Sequence, residues 1–332
     1  MICGVIGMRL RVEVPILFGS VLLTACGGGS SSGGSSELLG TGNNTPVTSG
    51  TVTVGITDGP MEEAENLVLN LTHISFGHDD GDVTRIGLSD GPMSLDMMRL
   101  QNGTSENLVD HASLPAGIYR WMELGIDLDQ SSLELQSGGH HRMQLGDPGA
   151  MRIEEMFEIS AGEHGDFIID FDLRRSIQHH DMGGMMGERY ELHAGMRLTR
   201  TDQAGSLSGT IDMSLVDAYQ LDCDSNAGGN WAYLYPGEAH EPDDLAETET
   251  DGIPGPIATD RVELDAITGE YLYHFSYMPA GIYRVAFSCS SEWDEAGDSD
   301  YPNDPDRKFN FQVFGEPVEI RAGQMSEHHL GP

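Results

Sequence analysis

The hexapeptide PAGIYR stands twice in this chain of 332 residues, at 115–120 and again at 279–284. In Leu114-Pro115-Ala116-Gly117 the proline takes the second place of a turn, where its fixed φ suits type I. The glycine at the fourth place can take a positive φ at little cost and feed the next strand. Beyond the turn, Ile118 and Tyr119, like Ile282 and Tyr283, point to opposite faces of a strand, so one belongs to a core and one to a rim. A tyrosine just past a sandwich corner, bonding back to upstream backbone, is a known stabilising device. The repeat reads as one corner used in two folds, in preference to a ligand site built around Tyr119 and Tyr283.

The flanks carry the same message. Residues 51–57 (TVTVGIT) alternate and stop at Asp58-Gly59-Pro60, and residues 66–76 alternate again before an Asp/Gly turn. Met122, Leu124, Ile126 and Leu128 share one face, as do Phe167, Ile169, Phe171 and Leu173. Residues 190–193 and 196–198 read as closing strands. In the second half, residues 206–216, 231–235, 260–264, 270–277, 282–288, 309–314 and 318–321 are strand candidates. Only 93–110 and 152–157 allow a short helix, and 238–260 reads as a long acidic loop. Strands at this spacing, separated by Gly, Asp and Pro, predict an all-β chain of two antiparallel sandwiches, prealbumin- or Ig-like, with a boundary near residue 204.

The N-terminus is predicted to lie outside the fold. Arg9 and Arg11 precede an apolar stretch, residues 14–23, too short to span a bilayer but of signal-peptide length, with Met1 or Met8 as the start. It ends in Leu23-Thr24-Ala25-Cys26, which resembles the lipobox of bacterial lipoproteins. That resemblance implies a signal peptide over 1–25, cleavage before Cys26 and lipidation of its sulfur, with several acyl chains giving a stable anchor. Gly27, where an inner-membrane retention signal usually carries Asp, favours the outer membrane of a Gram-negative host. Residues 26–49 are Gly- and Ser-rich, a tether able to hold the first sandwich roughly 25–30 Å from the membrane.

Charge narrows the class of partner. The chain has 54 acidic against 17 basic residues, a net charge of −37, and a single lysine, Lys308. Nucleic acid and anionic lipid surfaces are excluded as electrostatically favoured partners. Beyond the signal segment only Cys223 and Cys289 remain, and two cysteines in an exported protein are expected to pair. Such a bridge stabilises by ~4 kcal/mol on the chain-entropy model.

The first half resembles a bacterial lipoprotein family, domain of unknown function 4382. The likeness lies in Ile56-Thr57-Asp58-Gly59-Pro60, in 95–103 (LDMMRLQNG), in 114–119 (LPAGIY), in 170–176 (DFDLRRS) and in the strands of 190–198. It implies fold and location over about 50–200, and no activity. The second half, over 205–332, resembles carboxypeptidase-regulatory or Cna-B type modules, on Gly209-Thr210-Ile211, Thr268-Gly269-Glu270-Tyr271, residues 278–283 and Arg321-Ala322-Gly323-Gln324.

Three constellations bear on chemistry. His179, His180, Met182, Met185 and Met186 gather imidazole and thioether groups that suit copper, with His140, His141 and Met143 as a second cluster and His328-His329 as a third. Asp222, Asp224 and Asn226 have the spacing that opens a calcium loop, without its later Gly and Glu. A Cys223–Cys289 bridge would bring them near Asp294, Asp298, Asp300 and Asp304, a carboxylate-rich pair of loops that calcium would relieve. Asp170 and Asp172 share a strand face and read as a surface ion-pair ladder with Arg174. No nucleophile elbow, zinc-protease helix or phosphate loop occurs in the sequence. The expected protein is therefore a non-enzymatic, lipid-anchored envelope module with glycan or protein partners, and the alternative is an envelope metal-binding protein.

Overall fold

The computed structural model describes residues 48–61, 64–181, 188–212, 214–215, 229–245, 255–294, 296 and 309–331. Pro46–Pro332 forms one compact unit. In its first part β1 is Ser49–Gly59, β2 Ala64–His78, β3 Glu106–Pro115, β4 Gly117–Ile126, β5 Phe157–Ile159 and β6 His164–Asp172. A single helical turn, α1 (Leu173–Ser176), then leads to β7 Ile177–Asp181, β8 Glu188–Leu192 and β9 Met196–Arg200. One sheet has the order β9-β6-β1-β3, with β1 and β6 parallel and Thr51 beside His164. An eight-stranded sheet faces it, built on the antiparallel pair β2 and β4, and β5 pairs with β4. Strands β7 and β8 join Met143–Leu145 in a third, small sheet. Alternate residues of β1, β2 and β6 (Val52, Val54, Leu67, Leu69, Phe167 and Ile169 among them) are buried in one core. That is the period-two burial the sequence predicts.

The second part contributes β10 Ala204–Ile211, β11 Trp231–Pro236, β12 Ala258–Arg261, β13 Tyr271–Pro279, β14 Gly281–Ser288, β15 Val318–Ile320 and β16 Met325–Glu327. Strands β13, β10 and β16 lie side by side in one sheet, and β12, β11 and β14 in the other, with β15 added to β14. No described strand is shared between the sheets of the two parts. The run Trp231-Ala232-Tyr233-Leu234-Tyr235 is buried on both faces. Ala232 and Leu234 enter the sandwich core, while Trp231, Tyr233 and Tyr235 form a second apolar layer with Ala239, Leu245 and Phe309.

Both copies of PAGIYR are the corner at which the chain leaves one sheet for the other, β3 to β4 and β13 to β14. The Tyr119 hydroxyl donates to the Pro115 carbonyl at 2.7 Å, and the Tyr283 hydroxyl to the Pro279 carbonyl at the same distance. The Ala116 amide donates to Thr48 and the Ala280 amide to Gln203, in each case the residue just before the first strand of that part. Tyr119 and Tyr283 are buried, whereas Ile118 and Ile282 are 44% and 60% exposed, so the tyrosine is the core residue and the isoleucine the rim.

The likeness extends well past the hexapeptide. Tyr119 lies beside Phe157 of β5, and Tyr283 beside Val318 of β15. The Gly162 amide closes on Ser49 and the Gly323 amide on Ala204, and each of these glycines takes a positive φ.

Three local expectations are corrected. Gly117 has φ 155°, but Gly281 is not left-handed, so the corner does not require it. At Gly117 itself the expected positive φ is present, and a Cβ there would also meet the His78 ring, 2.1 Å from Nε2. The helix allowed over 93–110 is a strand (Met93–Asp96), a 3-10 turn (Met97–Arg99) and the start of β3, because Asn102 and Gly103 both take positive φ and end any helix. Residues 152–157 likewise hold no helix: they run from the strand Met151–Ile153 through a three-residue connection into β5. The described part of the acidic loop is packed: Ala239, Asp243, Asp244 and Leu245 are buried, and the Tyr235 hydroxyl donates to the Asp243 carbonyl.

Candidate functional site

Three of the stretches on which the family resemblance rests end at one place, the seam between the two parts. At the end of β1, the Thr57 hydroxyl donates to the carbonyls of Leu100 (3.0 Å) and Thr104 (2.8 Å), and the Asp58 amide also bonds Leu100. This ties the 100–104 loop to β1. The loop then meets β13, where the Tyr277 hydroxyl donates to the Gly103 carbonyl at 3.1 Å.

From β6 and α1, Asp172 caps its own helical turn, accepting from the Arg175 amide, and accepts the Thr259 hydroxyl of β12 at 3.4 Å. Asp170 pairs with Arg197, whose guanidinium also donates to the Ile257 carbonyl at 2.9 Å.

Arg174 makes the deepest crossing. Its guanidinium donates to the Tyr233 hydroxyl at 2.7 Å and to the Ser291 and Asp294 carbonyls at 2.6 and 3.1 Å. It lies over the Trp231 ring at 4.6 Å and stands 3.8 Å from the Asp294 carboxylate. Residues expected to form a solvated ladder thus divide between a part-buried network and a buried one. Asp170 pairs with Arg197, and Arg174 serves the other part of the chain.

The seam concentrates carboxylates away from water. Asp58 is 5% exposed, and neither of its side-chain oxygens accepts a hydrogen bond of good geometry, although the adjacent Gly59 amide holds its carboxyl down somewhat. Burial pushes its carboxyl well above the usual range, and the nearby Asp170 and Asp172 push it the same way. Asp172 is raised by burial, and burial carries Asp260 up to about 8 although it accepts the His274 amide at 2.6 Å. His274 is shifted down by burial.

Asp58, Asp170, Asp260 and His274 line a cavity of about 30 Å³. It adjoins an open cleft of about 410 Å³ that runs past Leu264, Leu272, Tyr273 and Glu327. Pro60, Asn102, Asp260 and His274 line both spaces.

A second cleft, about 480 Å³, is lined by His179, Glu188 and Tyr190 from the small sheet together with Arg174 and Asp294. His179 stacks on Tyr190 with centroids 4.9 Å apart, and His141 meets the same ring edge-on at 4.7 Å. Both imidazoles approach the Glu188 carboxylate, at 4.0 and 3.9 Å.

His180 instead pairs with Glu191 at 3.5 Å, on the side where His193 also reaches Glu191. Successive strand residues point to opposite faces, so the adjacent pair His179 and His180 does not converge on one ion. Met182, Met185 and Met186 lie outside the described residues.

Of the expected calcium ligands, Asp222, Asp224, Asn226, Asp298, Asp300 and Asp304 lie outside the described residues. Asp294 is turned inward, its carboxylate accepting the Tyr233 hydroxyl at 2.7 Å and the Leu245 amide at 3.2 Å. Among the described residues no group of three His, Cys, Asp or Glu is placed to hold a metal. Cys289 is buried and disulfide-bonded. Cys223, its expected partner, and Cys26, the expected lipidation site, lie outside the described residues. No helix among the described residues is long and apolar enough to cross a membrane.

Residues 49–192 match the family described as Domain of unknown function (DUF4382). The DUF4382 match runs from β1 through β8 and so supplies Asp58, Asp170, Asp172 and Arg174. Their counterparts Tyr233, Thr259, Asp260 and Asp294 lie beyond it. No curated protein matches the sequence.

Among solved structures, the chain is similar to the Bacillus anthracis TIE protein at 13% identity and TM-score 0.18, covering 85% of this chain and 33% of that one. It thus spans about a third of that protein's length. It is also similar to GBS52, the minor pilin of Streptococcus agalactiae, at 9% identity and TM-score 0.18 over 84% of this chain and 94% of that one. For BcpA, the major pilin subunit of Bacillus cereus, the figures are 8%, 0.15, 85% and 99%. The all-β class of this chain rests on its own strands.

Proposed function

We propose that this chain is a non-enzymatic module of the cell envelope, anchored by lipid on Cys26 and serving binding, adhesion or structure. The observation that carries the reading is the seam. Arg174 spends its donors on Tyr233, Ser291 and Asp294, and Arg197 spends its own on Asp170 and Ile257. These charged groups therefore join the two parts of the chain, as a module built to hold one shape would require. The second part is proposed as a module of the carboxypeptidase-regulatory or Cna-B type, stapled by Cys223 and Cys289.

Two measurements test the reading. In cells fed an alkyne-tagged fatty acid, wild-type protein should take up label and fractionate with membranes, and Cys26→Ala should do neither. Cells lacking the gene should lose attachment to a host or envelope surface that the purified protein blocks. Membrane fractionation unchanged in Cys26→Ala rejects the anchor, and unchanged attachment rejects the adhesion role.

A further inference from the structure

We propose that the cavity at the seam, with the cleft that opens onto it, is a binding site for a primary ammonium group on an aliphatic stem. The inference concerns a ligand class and stands independently of how the chain is anchored.

Its starting point is Asp58, whose two carboxylate oxygens are buried, and accept no hydrogen bond of good geometry, beside a space of about 30 Å³. Leaving a buried carboxylate without a donor costs more than leaving a neutral polar group so, and native structures rarely do it without a reason. The space matches one water or one ammonium head, whose three N–H groups are all donors. Asp170 and Asp260 line the same cavity, and a cation bound there would draw the raised carboxyls of Asp58 and Asp260 to their charged forms.

A bound metal is the weaker fit. Metal coordination needs oxygens converging to about 2.0–2.6 Å, and no described set of three side chains is so placed. Hydrogen bonds from an ammonium run at about 2.7–3.2 Å and tolerate looser spacing.

The cleft supplies what the stem requires. It passes Leu264, 56% exposed, and Leu272, 37% exposed, which offer apolar contact to methylenes, and its charged lining is Asp260, Glu263, Asp265 and Glu327 against Arg261. A volume of about 410 Å³ lies within the ordinary range of small-ligand sites. A free diamine or a lysyl side chain of another protein would supply such an ammonium.

Calorimetric titration of the full chain tests the proposal, with 1,5-diaminopentane, Nα-acetyl-lysine methylamide, its Nε-acetylated counterpart and calcium chloride as separate probes. Saturable one-to-one binding is expected for the first two. Loss by Nε-acetylation shows that the charged head is read, and the ratio of the two affinities separates a free diamine from a lysyl source. Asp58→Asn should weaken binding by about tenfold to a hundredfold, the worth of a charge-assisted hydrogen bond.

Amine binding that survives Asp58→Asn would mark diffuse attraction to an acidic surface and overturn the proposal. So would no binding, or displacement of the amine by equimolar calcium. If Asp58→Asn does not fold, Leu264→Arg, on an exposed position, places a guanidinium in the cleft. Unchanged amine affinity in that variant overturns the proposal equally.

Discussion

Arg174 leaves the first sandwich and donates to the Tyr233 hydroxyl of the second at 2.7 Å, its buried guanidinium lying over the Trp231 ring. A buried cation so placed depends on its neighbours, among them two carbonyls, a hydroxyl, an indole face and the Asp294 carboxylate. Removing it takes a positive charge from beside the buried Asp294 carboxylate. Arg174→Ala is therefore expected to cost about 3–5 kcal/mol, as breaking buried pairs does. Arg174→Lys should recover little of this, because an ammonium cannot reproduce the planar fork. Urea denaturation of both variants measures the difference, and a loss under about 1 kcal/mol would show the crossing to be incidental.

Tyr119→Phe and Tyr283→Phe each remove one corner hydrogen bond while keeping the ring. Each is expected to cost about 0.5–1.5 kcal/mol, and the double variant the sum, since the two corners share no partner. A double variant far from that sum would mean the two corners are coupled.

Gly50 and Gly205 occupy matching places at the start of β1 and β10. A Cβ would lie 2.6 Å from the Ser160 carbonyl oxygen in the first and 2.3 Å from that of Arg321 in the second. Because backbone cannot swing aside, each Gly→Ala change should destabilise by about 1–3 kcal/mol, the cost of overpacking. Thermal melts that leave either variant unchanged would break the equivalence of the two parts.

Stability should fall as the solution moves from acid to neutral over one window. Asp260 has an ordinary value of 3.8 when unfolded, and burial raises it to about 8 in the fold. The folded chain holds that proton while the unfolded chain releases it. Its contribution is therefore complete below about pH 4 and is lost as pH rises toward 8. One such group gives a slope of at most about 1.4 kcal/mol per pH unit. Asp58 and Asp172, also raised, act in the same direction. Denaturation at about pH 5 and pH 8 should show the decline and Asp260→Asn should flatten it; the same slope in both proteins would rule Asp260 out as its source.

What was legible in the sequence is what depends on neighbours along the chain. Alternation in 51–57 and 66–76 gives strands β1 and β2, and PAGIYR gives both corners, because face and turn chemistry are local properties. The seam was not legible. Asp170, Asp172 and Arg174 alternate with core residues just as a solvated ladder does, and nothing local says that one face is covered by a segment 60–120 residues away. The same limit hid the packing of Asp243 and Leu245, which composition reads as open loop. His179 and His180 look like a chelating pair until the strand they share is known.

The parallel partner of each first strand has a consequence for how the protein comes into being. Thr51 waits for His164, and Ser206 for Met325, before either strand has both neighbours. A chain made from its N-terminus at about 5–20 residues per second therefore holds β1 half-paired for several seconds and β10 for as long again. During that interval each presents an unfilled edge to whatever strand passes by. Contacts so distant also place the molecule among slow folders. A chain cut short of residue 325 would keep its second edge open indefinitely, and aggregation would be its expected fate.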